Sequence, residues 1–173
     1  MKLGKKILVV GISASGKSFF ARKLAAKTGL PLVSMDFLMW KPGWNYIGDE
    51  AVVKKLGEIS SEAEWIIEGY IPKGARSFVF DRADTILYLD YSSFVGAWQY
   101  LKRWWKHRKD ARPELEGSPE QFSFKFLKLV WTKGEAISLD ESLTNIGNQN
   151  KIVRLTSPKA TIKLTAELTT EYR

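Results

Sequence analysis

An α/β fold, with helices layered on both faces of a parallel sheet, is predicted by three observations on this 173-residue sequence. Short β-branched apolar runs alternate with longer stretches of helical periodicity. The first such run passes straight into a glycine-rich turn and a helix, and no repeat, low-complexity tract or Pro/Gly/Ser-rich linker divides the chain. Strands separated by helices pair in parallel through right-handed crossovers and leave ligand sites at the carboxyl ends of the strands. The length suits one domain over residues 1–173 with one active site.

The elements follow in order. Residues 6–10, KILVV, are continuous and β-branched, as a strand buried on both faces requires. After the glycine-rich turn, residues 17–28 place Phe20, Leu24 and Ala25 on one helical face, and Gly29 with Pro31 is the stop signal. Residues 32–34 form a short second strand, and a helix over 50–60 carries Val52, Val53, Leu56 and Ile59. Residues 65–67 are a third strand ending at Glu68-Gly69, and 85–89 a fourth, closed by Asp90. Ser92 and Ser93 are candidate caps for a long helix through Val95, Trp98 and Leu101. Ser118-Pro119-Glu120 has the cap-then-proline pattern of a helix start, with Phe122, Phe126, Leu129 and Val130 as its buried face. Residues 151–155 make a fifth strand, and Ser157-Pro158 opens the last helix.

Composition narrows the chemistry. An apolar fraction of 45% with seven Trp, nine Phe and six Tyr belongs to a packed globular protein. With no Cys and a single His, disulfides, thiolate nucleophiles and Cys-based metal centres are excluded, so a metal would be held by oxygen. No run approaches the ~20 apolar residues of a membrane span, and Met1 leads into Lys2, Lys5 and Lys6 without a leader pattern, so a cytoplasmic protein with no membrane partner is expected. Lys and Arg outnumber Asp and Glu by 27 to 19, which favours an anionic partner, phosphate or nucleic acid.

Gly11-Ile-Ser-Ala-Ser-Gly16-Lys17-Ser18 fills every fixed position of G-x-x-x-x-G-K-S/T, a pattern average composition would produce in under about 1% of chains this long. It lies between a strand and a helix, the context in which backbone N–H groups and a helix N-terminus cradle phosphate. ATP is therefore expected on Gly11, Ser13, Ala14, Ser15, Gly16, Lys17, Ser18 and Phe19, with Lys17 on the β- and γ-phosphates and the Ser18 hydroxyl on Mg²⁺.

Magnesium bound to phosphates needs only one or two protein carboxylates. Asp36, Glu68 and Asp90 fall at or just beyond strand ends. Asp36 is expected either to ligate magnesium through water or to accept the proton of an acceptor hydroxyl, against the alternative of a loop acid capping a turn. Glu68 is expected to orient magnesium-bound water, against that of a solvated strand-end acid. Asp90 reads as a loop or helix-start acid. The metal set is thus Ser18, Asp36 and Glu68.

LPLVSMDFLMWKPGW at 30–44, WIIEGY at 65–70, RADTILYLD at 82–90, then Arg112-Pro113, GSPE at 117–120 and FLKLVW at 126–131 carry a family resemblance over most of the chain. The sequence resembles the adenylate-kinase-like proteins of the DNA topology modulation (FlaR-related) family. That resemblance implies the nucleoside monophosphate kinase fold: strands ordered 2-3-1-4-5, a short acceptor-binding region after the second strand, and a basic helical lid at about 102–118. It also implies that Glu68-Gly69 stands where many such kinases have Asp-Gly, that Arg76 is the acceptor-side arginine, and that the turn at Ser157 passes the adenine.

Residues 102–112 hold six Lys/Arg against one Asp. In a phosphotransferase, Arg103, Arg108 and Arg112 would neutralise charge on the transferred group. The competing readings are a nucleic-acid patch, in which Trp104 and Trp105 stack on bases, and an amphipathic helix with core tryptophans and solvated charges. Trp40, Trp44 and Tyr46 near Asp36 are either a stacking wall for a flat acceptor or core under a loop. The expected function is ATP- and Mg²⁺-dependent phosphoryl transfer to a small acceptor such as a nucleoside monophosphate. The alternatives are a nucleotide-dependent nucleic-acid-binding regulator and a plain ATPase.

Overall fold

The computed structural model describes residues 3–107, 122–132 and 134–171. Its main sheet is built from β1 (Lys6–Gly11), β2 (Leu32–Ser34), β5 (Trp65–Glu68), β6 (Thr85–Leu89) and β7 (Ile152–Leu155). All pairs are parallel, in the order β2-β5-β1-β6-β7, which is 2-3-1-4-5 among the strands of this sheet. Central β1 pairs Leu8 with Ile67 on one side and with Ile86 on the other.

Side chains alternate along a strand, so each face of the sheet needs its own cover. Leu8, Val10, Ile67, Ile86 and Tyr88 pack under α3 (Asp49–Ser61), α4 (Lys73–Arg82) and α7 (Gly134–Thr144), through Val52, Leu56, Val79, Phe80, Leu139 and Leu143. Ile7, Val9, Ile66, Leu87 and Leu89 pack under α1 (Lys17–Thr28) and α8 (Pro158–Glu171), through Phe20, Leu24, Leu164 and Leu168. Each such buried side chain contributes about 1.5–3 kcal/mol, and together they give the three expected layers. Among the described residues no helix is long and apolar enough to cross a membrane.

The five expected strands and the expected starts of α1, α5 (Ser93–His107) and α8 are present. Gly29 ends α1 at φ +72°, its N–H donating to the carbonyl of Ala25. The Ser92 hydroxyl accepts the N–H of Val95 at the start of α5, and Ser157 accepts that of Ala160 at the start of α8. The expected helix start at Ser118-Pro119-Glu120 lies outside the described residues; α6 (Phe124–Trp131) is capped by the hydroxyl of Ser123, which accepts the N–H of Phe126. Val130 is buried as expected, Phe122 and Phe126 only partly, and Leu129 is exposed. Trp98 and Leu101 also point outward, because α5 packs through Ala97 and Tyr100.

Beyond the sequence expectation are the short helix α2 (Met35–Met39), the two-stranded ribbon of β3 (Trp40–Lys41) and β4 (Asn45–Tyr46), helices α4 and α7, and a 3-10 turn at Gln149–Lys151 that takes Lys151 out of the fifth strand. The helix and ribbon after β2 place Asp36 and the tryptophans at the mouth of the sheet.

Candidate active site

The phosphate loop begins where β1 ends. Gly11 has φ +153°, and a Cβ there would lie 2.4 Å from the carbonyl oxygen of Leu89, so only glycine fits against β6. Gly16 has φ +85° and is the N-cap of the twelve-residue α1, while Ala14 holds a left-handed φ of +63°. The turn is closed by Ser15 N–H donating to Ile12 O at 3.2 Å. Lys17 curls back over it, its ammonium donating to the carbonyls of Gly11 at 3.1 Å and Ile12 at 2.8 Å. Among the described residues the buried hydroxyl of Ser15 has no hydrogen-bond partner. An unmet buried polar group inside a cradle of N–H groups fits a phosphate oxygen.

At the second residue of α1, the Ser18 hydroxyl donates to Glu68 Oε2 at 3.2 Å, and Ser34 donates to Oε1 of the same carboxylate at 2.6 Å. The sheet arranges this: Ser34 and Glu68 are paired across β2 and β5, and both strands end beside the loop. Glu68 is only 3% exposed, which overturns the reading of a solvated strand-end acid. Burial raises its pKa against the opposing effects of Ser34, Lys17 and Ser18, and the neighbouring charge of Asp36 adds to the rise. Gly69 follows at φ +123°, where a Cβ would come within 2.8 Å of the Met35 side chain.

A buried carboxylate whose direct donors are serine hydroxyls gains from a cation, and Ser18, Glu68 and Asp36 offer the hard oxygens magnesium prefers. Among the described residues no group of three or more His, Cys, Asp or Glu could hold a metal by itself. That suits an ion completed by water and phosphate.

Loop and carboxylates open into a cleft of about 1110 Å³. Asp36, in the first turn of α2, and the rings of Trp40, Trp44 and Tyr70 line it on one side. Trp40 and Trp44 meet edge to face with centroids 5.7 Å apart. Tyr46 packs behind Trp40 at 5.2 Å and does not line the cleft; its hydroxyl donates to Asp49, which pushes its pKa up to about 12. Ser13, Ala14, Phe19 and Arg103 also line the cleft.

Other expected site residues lie elsewhere. Arg76 is buried between α4 and α7: Nε donates to Ile71 O at 2.9 Å, and Nη1 to Ser138 O, Ser138 Oγ and Ser142 Oγ at 2.8, 2.9 and 3.0 Å. It does not itself line the cleft, but its guanidinium carbon lies 5.7 Å from the ring centre of Tyr70, which does, so Arg76 ties α4 to α7 behind that ring. Ser157 caps α8 and is likewise not a lining residue. Asp90 pairs with Arg154 at 3.1 Å. Arg108 and Arg112 lie outside the described residues.

The structure adds Ser34, Arg22, Gln99, Tyr100, Lys106 and Phe126 to the site. Ser34 was within reach of the sequence, since it ends the second strand as Glu68 ends the third. Arg22 follows Ser18 by one helical turn, a spacing that places both on one face.

No protein-family model matches the chain, and no curated protein sequence matches it. Solved structures do. A gluconokinase from Sinorhizobium meliloti 1021 aligns over 100% of both chains with a TM-score of 0.54 and 17% identity. A sugar kinase from Janibacter sp. HTCC2649 aligns over 97% of this chain and 91% of its own, with a TM-score of 0.55 and 16% identity. Shikimate kinase from Aquifex aeolicus aligns over 95% and 94%, with a TM-score of 0.55 and 17% identity. At these identities the likeness establishes the fold: a P-loop α/β fold shared with small-molecule kinases.

Proposed function

We propose that this chain is an ATP- and magnesium-dependent phosphotransferase that moves the γ-phosphoryl group of ATP to an oxygen of a small acceptor, a hydroxyl or the phosphate of a nucleoside monophosphate. The observation that carries the reading is the convergence, in one cleft, of the Lys17–Ser18 loop with the Glu68 carboxylate and Asp36. The kinases sharing the fold add support from outside the sequence.

The loop N–H groups, Ser15 and Lys17 bind the phosphates; on ATP binding Lys17 exchanges its carbonyl partners for β- and γ-oxygens. Ser18 and Glu68, with Asp36, would hold magnesium, which supplies charge neutralisation on the phosphates. The acceptor oxygen bonds to the γ-phosphorus as the bond to the β–γ bridging oxygen breaks, releasing ADP; where that oxygen belongs to a hydroxyl, Asp36 takes its proton. Arg103 faces charge on the transferred group. Trp40 and Trp44 suit an acceptor with a planar part, a nucleoside or nucleoside monophosphate. Acceptor-dependent ADP formation, lost in Lys17→Ala, tests this; acceptor-independent turnover would mark a plain ATPase.

A second reading, nucleic-acid binding as in the DNA topology resemblance, is favoured by the exposed rings of Trp98 and Trp105 beside Lys102, whose ammonium lies 5.1 Å from the Trp98 ring centre. Salt-dependent binding of single-stranded DNA, weakened by Trp105→Ala, tests it.

A further inference from the structure

Arg103 is held by an aromatic clamp made by two helices. Its guanidinium carbon lies 5.5 Å from the ring centre of Tyr100 on α5 and 5.5 Å from that of Phe126 on α6. The rings pack on each other with centroids 4.9 Å apart. A hydrogen-bonded corner fixes them: Ser123 N–H donates to the Tyr100 hydroxyl at 2.8 Å, and Ser123 Oγ accepts the N–H of Phe126 at 3.2 Å. Tyr100 is 1% exposed, so this corner is a packed part of the α5–α6 contact. Arg103, Tyr100, Ser123 and Phe126 all line the phosphate cleft.

A long arginine side chain without fixed neighbours samples many rotamers, and a guanidinium against ring faces is drawn to them by the ring quadrupole, most strongly where water is excluded. Arg103 needs such help, because a group that stabilises charge in the transition state must be oriented before that charge develops. We propose that Phe126 is a positioning residue for phosphoryl transfer: by holding one face of the Arg103 guanidinium, it aims that group at the transferring phosphoryl. The inference rests on the phosphotransferase reading and assigns α6 a function in it, since α6 supplies the half of the clamp that α5 lacks.

The test is the affinity for MgADP with aluminium fluoride, which mimics the transferring phosphoryl group, against that for MgADP alone. It needs no acceptor. Phe126→Leu and Arg103→Ala are each expected to weaken the aluminium fluoride complex about tenfold and to leave MgADP affinity within about twofold. Phe126→Tyr keeps the ring and is expected to keep the affinity. Adding Phe126→Leu to Arg103→Ala should cost nothing further, and Trp131→Leu, an exposed ring on α6 outside the clamp, should match the unmodified protein. Equal weakening of both complexes by Phe126→Leu would make it a structural residue and overturn the proposal, as would independent, additive losses in the double variant. If the unmodified protein prefers the mimic and Arg103→Ala retains that preference, the clamp falls and the enzyme reading stands. If the unmodified protein shows no preference for the mimic, the phosphotransferase reading falls and the proposal with it.

Discussion

Replacing Glu68 with glutamine should make the metal-free protein more stable and the enzyme inactive. The carboxylate is buried and held by the hydroxyls of Ser18 and Ser34. Removing a carboxylate from water costs several kcal/mol, and two hydrogen bonds to a charged group return about 1.5–3 kcal/mol each. The raised pKa shows that burial outweighs the return. The sign then follows. Between the unfolded pKa and the raised folded pKa the native state binds the extra proton, so stability falls as pH rises through that window and stays low above it. Glutamine has no charge to desolvate, and both serine hydroxyls can rotate to meet its amide. At pH 8 without divalent ions, Glu68→Gln should gain about 1–2 kcal/mol, an upward shift in Tm of about 2–8 °C for a chain of this size, and its stability should lose the decline with pH. Magnesium with ADP should stabilise the unmodified protein much more than the variant. Calorimetric melting from pH 4.5 to 8, with and without MgADP, measures both. A variant that melts lower than the parent at pH 8, or that gains as much from MgADP, would refute the reasoning.

Further outcomes follow from the same geometry. Arg76→Ala should destabilise the fold by at least about 3 kcal/mol in urea unfolding, because it strips donors from Ile71, Ser138 and Ser142, yet leave KM for ATP and acceptor within about twofold. A raised acceptor KM alone would return Arg76 to the site. Gly11→Ala places a methyl 2.4 Å from Leu89 O; strain of about 2–3 kcal/mol should appear in unfolding, with ATP affinity lost alongside. Trp44→Ala should raise KM for a planar acceptor about three- to tenfold with KM for ATP unchanged, as steady-state kinetics would show.

The strands were legible because β1, β5 and β6 are buried on both faces and therefore read as unbroken apolar runs. The phosphate loop was legible because its chemistry fixes residue types at fixed spacing. Helix α4 was not: it opens Lys73-Gly74 without a side-chain cap, and one of its buried positions is the charged Arg76. Helix α7 opens on Gly134 and, among the described residues, buries Ala136, Leu139 and Leu143 among polar neighbours. The Nη1 partners of Arg76, Ser138 and Ser142, come from α7, so its packing could not be read locally. Asp36 and Glu68 were identifiable as strand-end acids, but their environments differ through tertiary packing: Glu68 ends a strand in the sheet interior, whereas Asp36 begins a helix at the cleft. The Arg103 clamp joins residues of two helices and leaves no local pattern.

The most direct test of the central claim is ADP production from ATP and Mg²⁺ across nucleosides, nucleoside monophosphates and small hydroxyl metabolites, with Lys17→Ala alongside. Turnover that requires one acceptor class and falls at least about a hundredfold in the variant is the predicted result. ATP binding without any acceptor raising turnover above that of Lys17→Ala would contradict it.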